Sequence, residues 1–258
     1  MFERESEMAE PVRRWMSGAG LAVRAEFVTP WGICDLVGLQ LRREYALRRI
    51  ALRQTRPVGS LRRAALLLAI PDAESEKAIS LAKLARVCGS GTVDEISGDV
   101  TRLLADRFIV QSRNGFQRIW SPIYDRLVAI ELKLDRVEEA LRQARKNLLF
   151  VEESFVALPA ITANRVLKNA QRSRAFFDCG IGLLSVGPTS CNVLIESKNS
   201  NRSIDEAVRL YSGEKFWTPA IQRQLIIKGS ATHSGRRAGP SFSRSGNAFP
   251  KAYAADRS

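Results

Sequence analysis

Val128-Ala129-Ile130-Glu131-Leu132-Lys133-Leu134 is an apolar run broken only by a glutamate and a lysine two residues apart. In a strand, successive side chains point to opposite faces. Glu131 and Lys133 therefore project together, while Ile130, Leu132 and Leu134 face the other way. Opposite charges on one face of an otherwise greasy strand are costly to place unless they pair, stay wet or hold a ligand. A second interruption lies upstream in Gly32-Ile33-Cys34-Asp35-Leu36-Val37-Gly38, where one carboxylate follows the turn Thr29-Pro30-Trp31-Gly32. An aspartate and a glutamate on neighbouring strands, with a lysine beside them, are the parts that hold Mg²⁺ and activate water against a phosphodiester.

Working outward, residues 2–17 read as a helix with Met8, Val12, Trp15 and Met16 on one side, stopped by Gly18-Ala19-Gly20. Residues 21–27 and 33–39 read as two strands joined by the Thr-Pro-Trp-Gly turn. After Lys133 come an amphipathic helix over 135–150, a strand Ser154-Phe155-Val156-Ala157-Leu158-Pro159, and a further strand over 180–186. Glu-x-Lys recurs at Glu196-Ser197-Lys198 after Val193-Leu194-Ile195, but the polar Asn199-Ser200-Asn201 follows it as a turn. Glu131 is preferred because a long helix and another strand come after it. A solvated strand face remains the other reading of Glu131 and Lys133, as a turn-proximal exposed aspartate does for Asp35.

This order of helix, aspartate hairpin, Glu-x-Lys strand, helix and strand resembles the PD-(D/E)XK, or restriction-endonuclease-like, nuclease superfamily over roughly the first forty residues and 120–196. The resemblance implies an α/β fold, a mixed sheet flanked by helices. It implies that Asp35 and Glu131 bind Mg²⁺ or Mn²⁺ with the backbone carbonyl of Leu132, and that Lys133 orients or helps deprotonate the attacking water. Such nucleases often carry a further glutamate on the first helix; Glu10 matches its position, with Glu7 as the fallback. Cys34 stands where the family's motif has proline.

Between the two halves the pattern changes. Apolar helices are expected over 61–70 and 79–87, then Gly89-Ser90-Gly91, then a third helix capped by Thr92 with Val93, Ile96, Val100, Leu103 and Leu104 at helical spacing. Two short strands flank Asn114-Gly115, a strong hairpin signal. Three helices and a two-stranded wing resemble a winged helix-turn-helix. The domains expected are therefore 1–57 and 120–228 as the two parts of a nuclease core, 58–119 as an inserted winged helix, and 229–258 as a disordered basic tail.

The 258 residues carry a formal net charge of +13, which favours a polyanionic partner through phosphate neutralisation. Arg42, Arg43, Arg48, Arg49, Arg53, Arg56, Arg62 and Arg63 are opposed only by Glu44 between 41 and 63. Guanidinium groups suit phosphate, so DNA contact is expected from Arg42, Arg48, Arg49 and Arg53, and from Arg113 and Arg118 on the wing; a solvated helix face is the plainer reading. The third helix carries Asp94, Glu95, Asp99 and Asp106 against Arg102 and Arg107, which argues against its lying in a major groove. Dimerisation is the other role open to the insert, giving a homodimer.

Cys34, Cys88, Cys179 and Cys191 are scattered with no Cys-x-x-Cys pair, so buried thiols in a reducing cytosol are expected. His233 is the one histidine, which leaves no Ser-His-Asp triad and no histidine metal site. No Walker-type loop points to a nucleotide cofactor. No signal peptide or membrane-spanning run is apparent, and a cytoplasmic protein is expected. The favoured expectation is a Mg²⁺-dependent DNA endonuclease or DNA-processing nuclease. Its rivals are a non-catalytic winged-helix DNA-binding regulator on a degenerate nuclease scaffold, and an assembly protein whose charge is incidental.

Overall fold

The two interrupted apolar runs lie side by side at the centre of one sheet. The computed structural model describes residues 2–74, 77–90, 92–198 and 204–231, with only the backbone over 228–231. A 3-10 turn, Glu5–Met8, leads into α1 (Ala9–Gly18), then β1 (Leu21–Thr29) and β2 (Gly32–Leu41). After α2 (Arg43–Ala51) come α3 (Leu61–Ala69), α4 (Leu81–Val87), α5 (Asp94–Ala105), β3 (Ile109–Ser112) and β4 (Gly115–Arg118). The chain then forms β5 (Tyr124–Leu132), α6 (Val137–Asn147), β6 (Glu153–Pro159), α7 (Ala160–Lys168), α8 (Ala170–Cys179), β7 (Gly182–Val186) and β8 (Cys191–Ile195). It closes with α9 (Glu206–Glu214) and α10 (Pro219–Ala231).

The main sheet runs β1-β2-β5-β6-β7-β8, mixed in direction: β5, β6 and β7 are parallel, and the other pairs are antiparallel. Residues 127–132 are all buried, which is why this strand reads as a nearly continuous apolar run. One face of the sheet packs Leu36, Val128, Ile130 and Leu132 against Met8, Val12 and Met16. The other packs Val37, Leu39, Leu127 and Ala129 against Phe150, Phe216 and Trp217. A mixed α/β sheet flanked by helices is thus as the sequence implies. Between β6 and β7, α7 and α8 supply the crossover that a parallel pair requires.

Residues 58–120 build a second core from Val58, Leu66, Leu67, Leu84, Ile96, Leu103, Phe108, Phe116 and Trp120, to which Leu210 of α9 also belongs. Three helices and a hairpin occur here in the expected order, with two local differences. Val93, not Thr92, is the cap residue of α5, and it makes no side-chain cap bond. The β3–β4 turn is Arg113-Asn114, because Ser112 already pairs with Gly115. Gly115 is held at φ 127° against residue 79, where a Cβ would come within 2.2 Å of the Ile79 carbonyl.

Other boundaries move as well. The expected helix over 2–17 is a 3-10 turn followed by α1, and α2 stops at Ala51 because Arg53 adopts φ 59°. The closing helices lie later than 203–211 and 216–227, and α10 continues into the segment expected as tail; the rest of 229–258 lies outside the described residues. Among the described residues no helix is long and apolar enough to cross a membrane.

Candidate active site at the ends of β2 and β5

The β2–β5 ladder ends at Leu36↔Ile130, and one residue further Asp35 comes opposite Glu131. Asp35 sits where the β1–β2 hairpin changes faces. Leu36 belongs to the core packed on α1, whereas Cys34 belongs to the core around Phe150. On β1 the same exchange separates Val23 from Phe27, and Glu26 between them takes φ 48°. The rotation leaves Asp35 aimed into the gap between β2 and β5, where the Leu132 N–H donates to its Oδ2 at 2.7 Å. A backbone donor on a strand end fixes that carboxylate without needing a flexible partner.

Glu131 is only 2% exposed. The Asn147 amide of α6 donates to its Oε1 at 2.6 Å. Burial, countered in part by that amide and reinforced by Asp35, lifts the Glu131 carboxyl to about 7. Burial also raises Asp35, against the Leu132 N–H and Lys133, which favour its charge. Each carboxyl group acts on the other, and the Asp35 charge adds to burial in raising Glu131. The Cys34 thiol beneath them is pushed well up, first by burial and then by the two carboxylates. Lys133 is also buried, and its Nζ lies 3.4 Å from Glu5 Oε2. Arg136 approaches the other oxygen of Glu5 at 3.8 Å.

Glu5, not Glu10, is therefore the N-terminal carboxylate at this site. Glu10 pairs with Arg14 at 3.7 Å on an exposed face, and Glu7 accepts the Glu3 N–H. The reason is the 3-10 turn: its tighter winding shifts the helical phase, so counting turns back from Gly20 selects the wrong glutamate. The second Glu-x-Lys is far away. Glu196 and Lys198 are exposed and follow Ile195, which pairs with Leu183 at the opposite end of the parallel strands.

The arginines divide. Arg49 is buried against Glu214 at 2.5 Å, with Trp217 and Phe108 over its guanidinium, so it cannot reach a nucleic acid. Arg42 pairs with Asp125, Arg48 with Glu74, and Arg118 with Asp72. Arg53 and Arg113 are exposed. A cleft of about 380 Å³ between α9 and residues 68–122 is lined by Arg42, Asp72, Arg118, Asp125, Glu206 and Arg209. Each of those cations already faces a carboxylate, which makes it a poor anion site.

Among the described residues no three His, Cys, Asp or Glu side chains form a group that could hold a metal ion. Asp35 and Glu131 nonetheless supply carboxylate oxygens, the donor type that hard cations such as Mg²⁺ and Mn²⁺ take. Mg²⁺ keeps several waters and takes one or two carboxylates plus substrate phosphates. The site lies at the carboxyl ends of the parallel strands, where open α/β sheets bind ligands.

No protein-family model matches the chain, and no curated protein matches it. A solved structure described as a protein of unknown function from Silicibacter pomeroyi is similar, with a TM-score of 0.42 and 13% identity over 90% of this chain and 96% of that one.

Proposed function

We propose that the protein is a metal-dependent nuclease that hydrolyses phosphodiester bonds in DNA, with a PD-(D/E)XK-like site and a winged-helix-like insert. The observation that supports this best is the meeting of Asp35, Glu131 and Lys133 where β2 and β5 part, with Asp35 held by the Leu132 N–H. Asp35, Glu131 and the Leu132 carbonyl would hold Mg²⁺ or Mn²⁺, which when bound supplies Lewis acidity and a water of lowered pKa. Lys133 would orient or help deprotonate the attacking water and offset charge gathering on the phosphate oxygens. Glu5 positions Lys133.

Supercoiled plasmid incubated with Mg²⁺ or Mn²⁺ tests the reading. Lys133→Met should slow nicking by about 10²–10⁴-fold. Asp35→Asn and Glu131→Gln should abolish it, and Glu196→Ala with Lys198→Ala should leave it intact. The burial of Glu131 against Asn147 favours a second reading, a DNA-binding regulator on an inert scaffold. That reading stands if the protein binds DNA tightly yet never nicks it with either metal.

A further inference from the structure

Val28 and Ile33 are cross-strand partners at the tip of the β1–β2 hairpin. They are 59% and 62% exposed, an apolar pair in water, and Ile33 lies two residues from Asp35 on β2. Two strand residues span about 7 Å, so whatever occupies the site passes close to this tip. Behind it, Lys215 Nζ donates to the Val28 carbonyl at 2.5 Å and lies 4.9 Å from the Phe27 ring. Arg24 donates to the Lys215 carbonyl, which brings the two cations together. Among the described residues neither makes an ion pair, although Glu26 lies on the same strand as Arg24. Arg42, Arg48, Arg49 and Arg118 all have carboxylate partners. Two adjacent unneutralised cations beside an exposed apolar tip match a nucleic-acid duplex better than the surface of another protein. Proteins that bend DNA commonly insert apolar wedges between base steps while cations take the flanking phosphates.

We propose that the β1–β2 hairpin is a nucleic-acid contact element, in which Val28 and Ile33 enter a groove of duplex DNA beside the cleaved bond while Arg24 and Lys215 neutralise the adjoining phosphates. This rests on the nuclease reading for the identity of the ligand.

The test is fluorescence anisotropy of the full chain with a labelled duplex in EDTA, repeated over a range of salt. Val28→Ser with Ile33→Ser should weaken binding about tenfold, as expected for partly burying two branched side chains, and should leave the salt slope unchanged. Arg24→Gln with Lys215→Gln should lower the slope of log affinity against log salt by about two. A 2-aminopurine base in the duplex should brighten with the wild type and not with the tip variant. Val28→Thr with Ile33→Thr keeps the β-branched shape and should weaken binding as the serine pair does, which separates polarity from misfolding. If the wild type binds and all variants bind equally well, the hairpin proposal is wrong while the nuclease reading stands. If the tip variants instead turn a dimer into a monomer without changing affinity per protomer, the tip joins two copies of the chain. A wild type that binds no duplex in EDTA overturns the hairpin proposal, while the nicking assay with Mg²⁺ or Mn²⁺ decides the nuclease reading.

Discussion

Glu131 couples the site to the stability of the fold. Burial first, and Asp35 beside it, lift its carboxyl from 4.5 to about 7. The folded chain therefore keeps a proton that the unfolded chain has released between those values. The stabilisation is full below the unfolded value and is lost as pH rises through the folded one, on the order of 3 kcal/mol in all. Urea midpoints in EDTA should fall from pH 4.5 to pH 8 for the wild type and stay nearly level for Glu131→Gln. A level wild-type profile would show that Glu131 titrates alike in the folded and unfolded chain, with no burial penalty on its charge. Adding Mg²⁺ at pH 8 should raise the wild-type midpoint and leave Glu131→Gln unmoved, since a ligand stabilises only the state that binds it. Asp35, Glu131 and Lys133 were legible in the sequence because each charge interrupts an apolar strand, where a period of two fixes its face. Glu5 was not legible: Glu3, Glu5, Glu7 and Glu10 look alike locally, and only the 3-10 turn decides which one meets Lys133.

At the scale of elements, α2 is pinned to the fold through Arg49. Arg49 and Glu214 are each about 1% exposed, and Glu214 also accepts the Val58 N–H and the Trp120 indole N–H. Arg49→Met should therefore cost roughly 3–5 kcal/mol in denaturant unfolding, because it leaves a buried carboxylate unpaired. The double variant Arg49→Met with Glu214→Leu should recover part of that stability. Equal costs for the single and double variants would mean that the pair's charge is irrelevant. The run of charges along 42–56 does not reveal this, because Arg49 lies one turn after the buried Ala46 and its partner is 165 residues away. Two glycines give a second contrast. Gly115→Ala drives a Cβ into the Ile79 carbonyl at a left-handed φ and should loosen the hairpin from residue 79. Gly98→Ala, inside α5 with open space around it, should stabilise by about 1 kcal/mol. Calorimetry of both variants checks the pair. The helices and hairpin of 58–120 were legible from their periodicity, whereas their docking through Leu210 depends on a helix ninety residues further on and carries no local signal.

The whole molecule separates its lobe from its site. Leu41 pairs with Tyr124 at one end of the β2–β5 ladder, and Asp35 and Glu131 lie beyond the other. Six residues of strand, about 20 Å, stand between the point where residues 58–120 leave the sheet and the candidate active site. That lobe carries nine Lys and Arg against seven Asp and Glu, so most of the +13 charge lies elsewhere in the chain. Attraction to phosphate should accordingly depend little on the lobe's acidic helix. Charge reversal at the exposed Asp94 and Glu95 should leave duplex affinity unchanged or slightly tighter. Reversal at the exposed Arg53 or Arg113 should lower the slope of log affinity against log salt by about one for each phosphate no longer neutralised. Arg48→Glu should lower it less, because Glu74 already neutralises that guanidinium at 2.6 Å. Affinity titrations at several salt concentrations give all of these slopes. If reversal at Asp94 and Glu95 erased a preference for one base sequence, α5 would be reading base edges, and the lobe would be a true recognition module working some 20 Å from the cut.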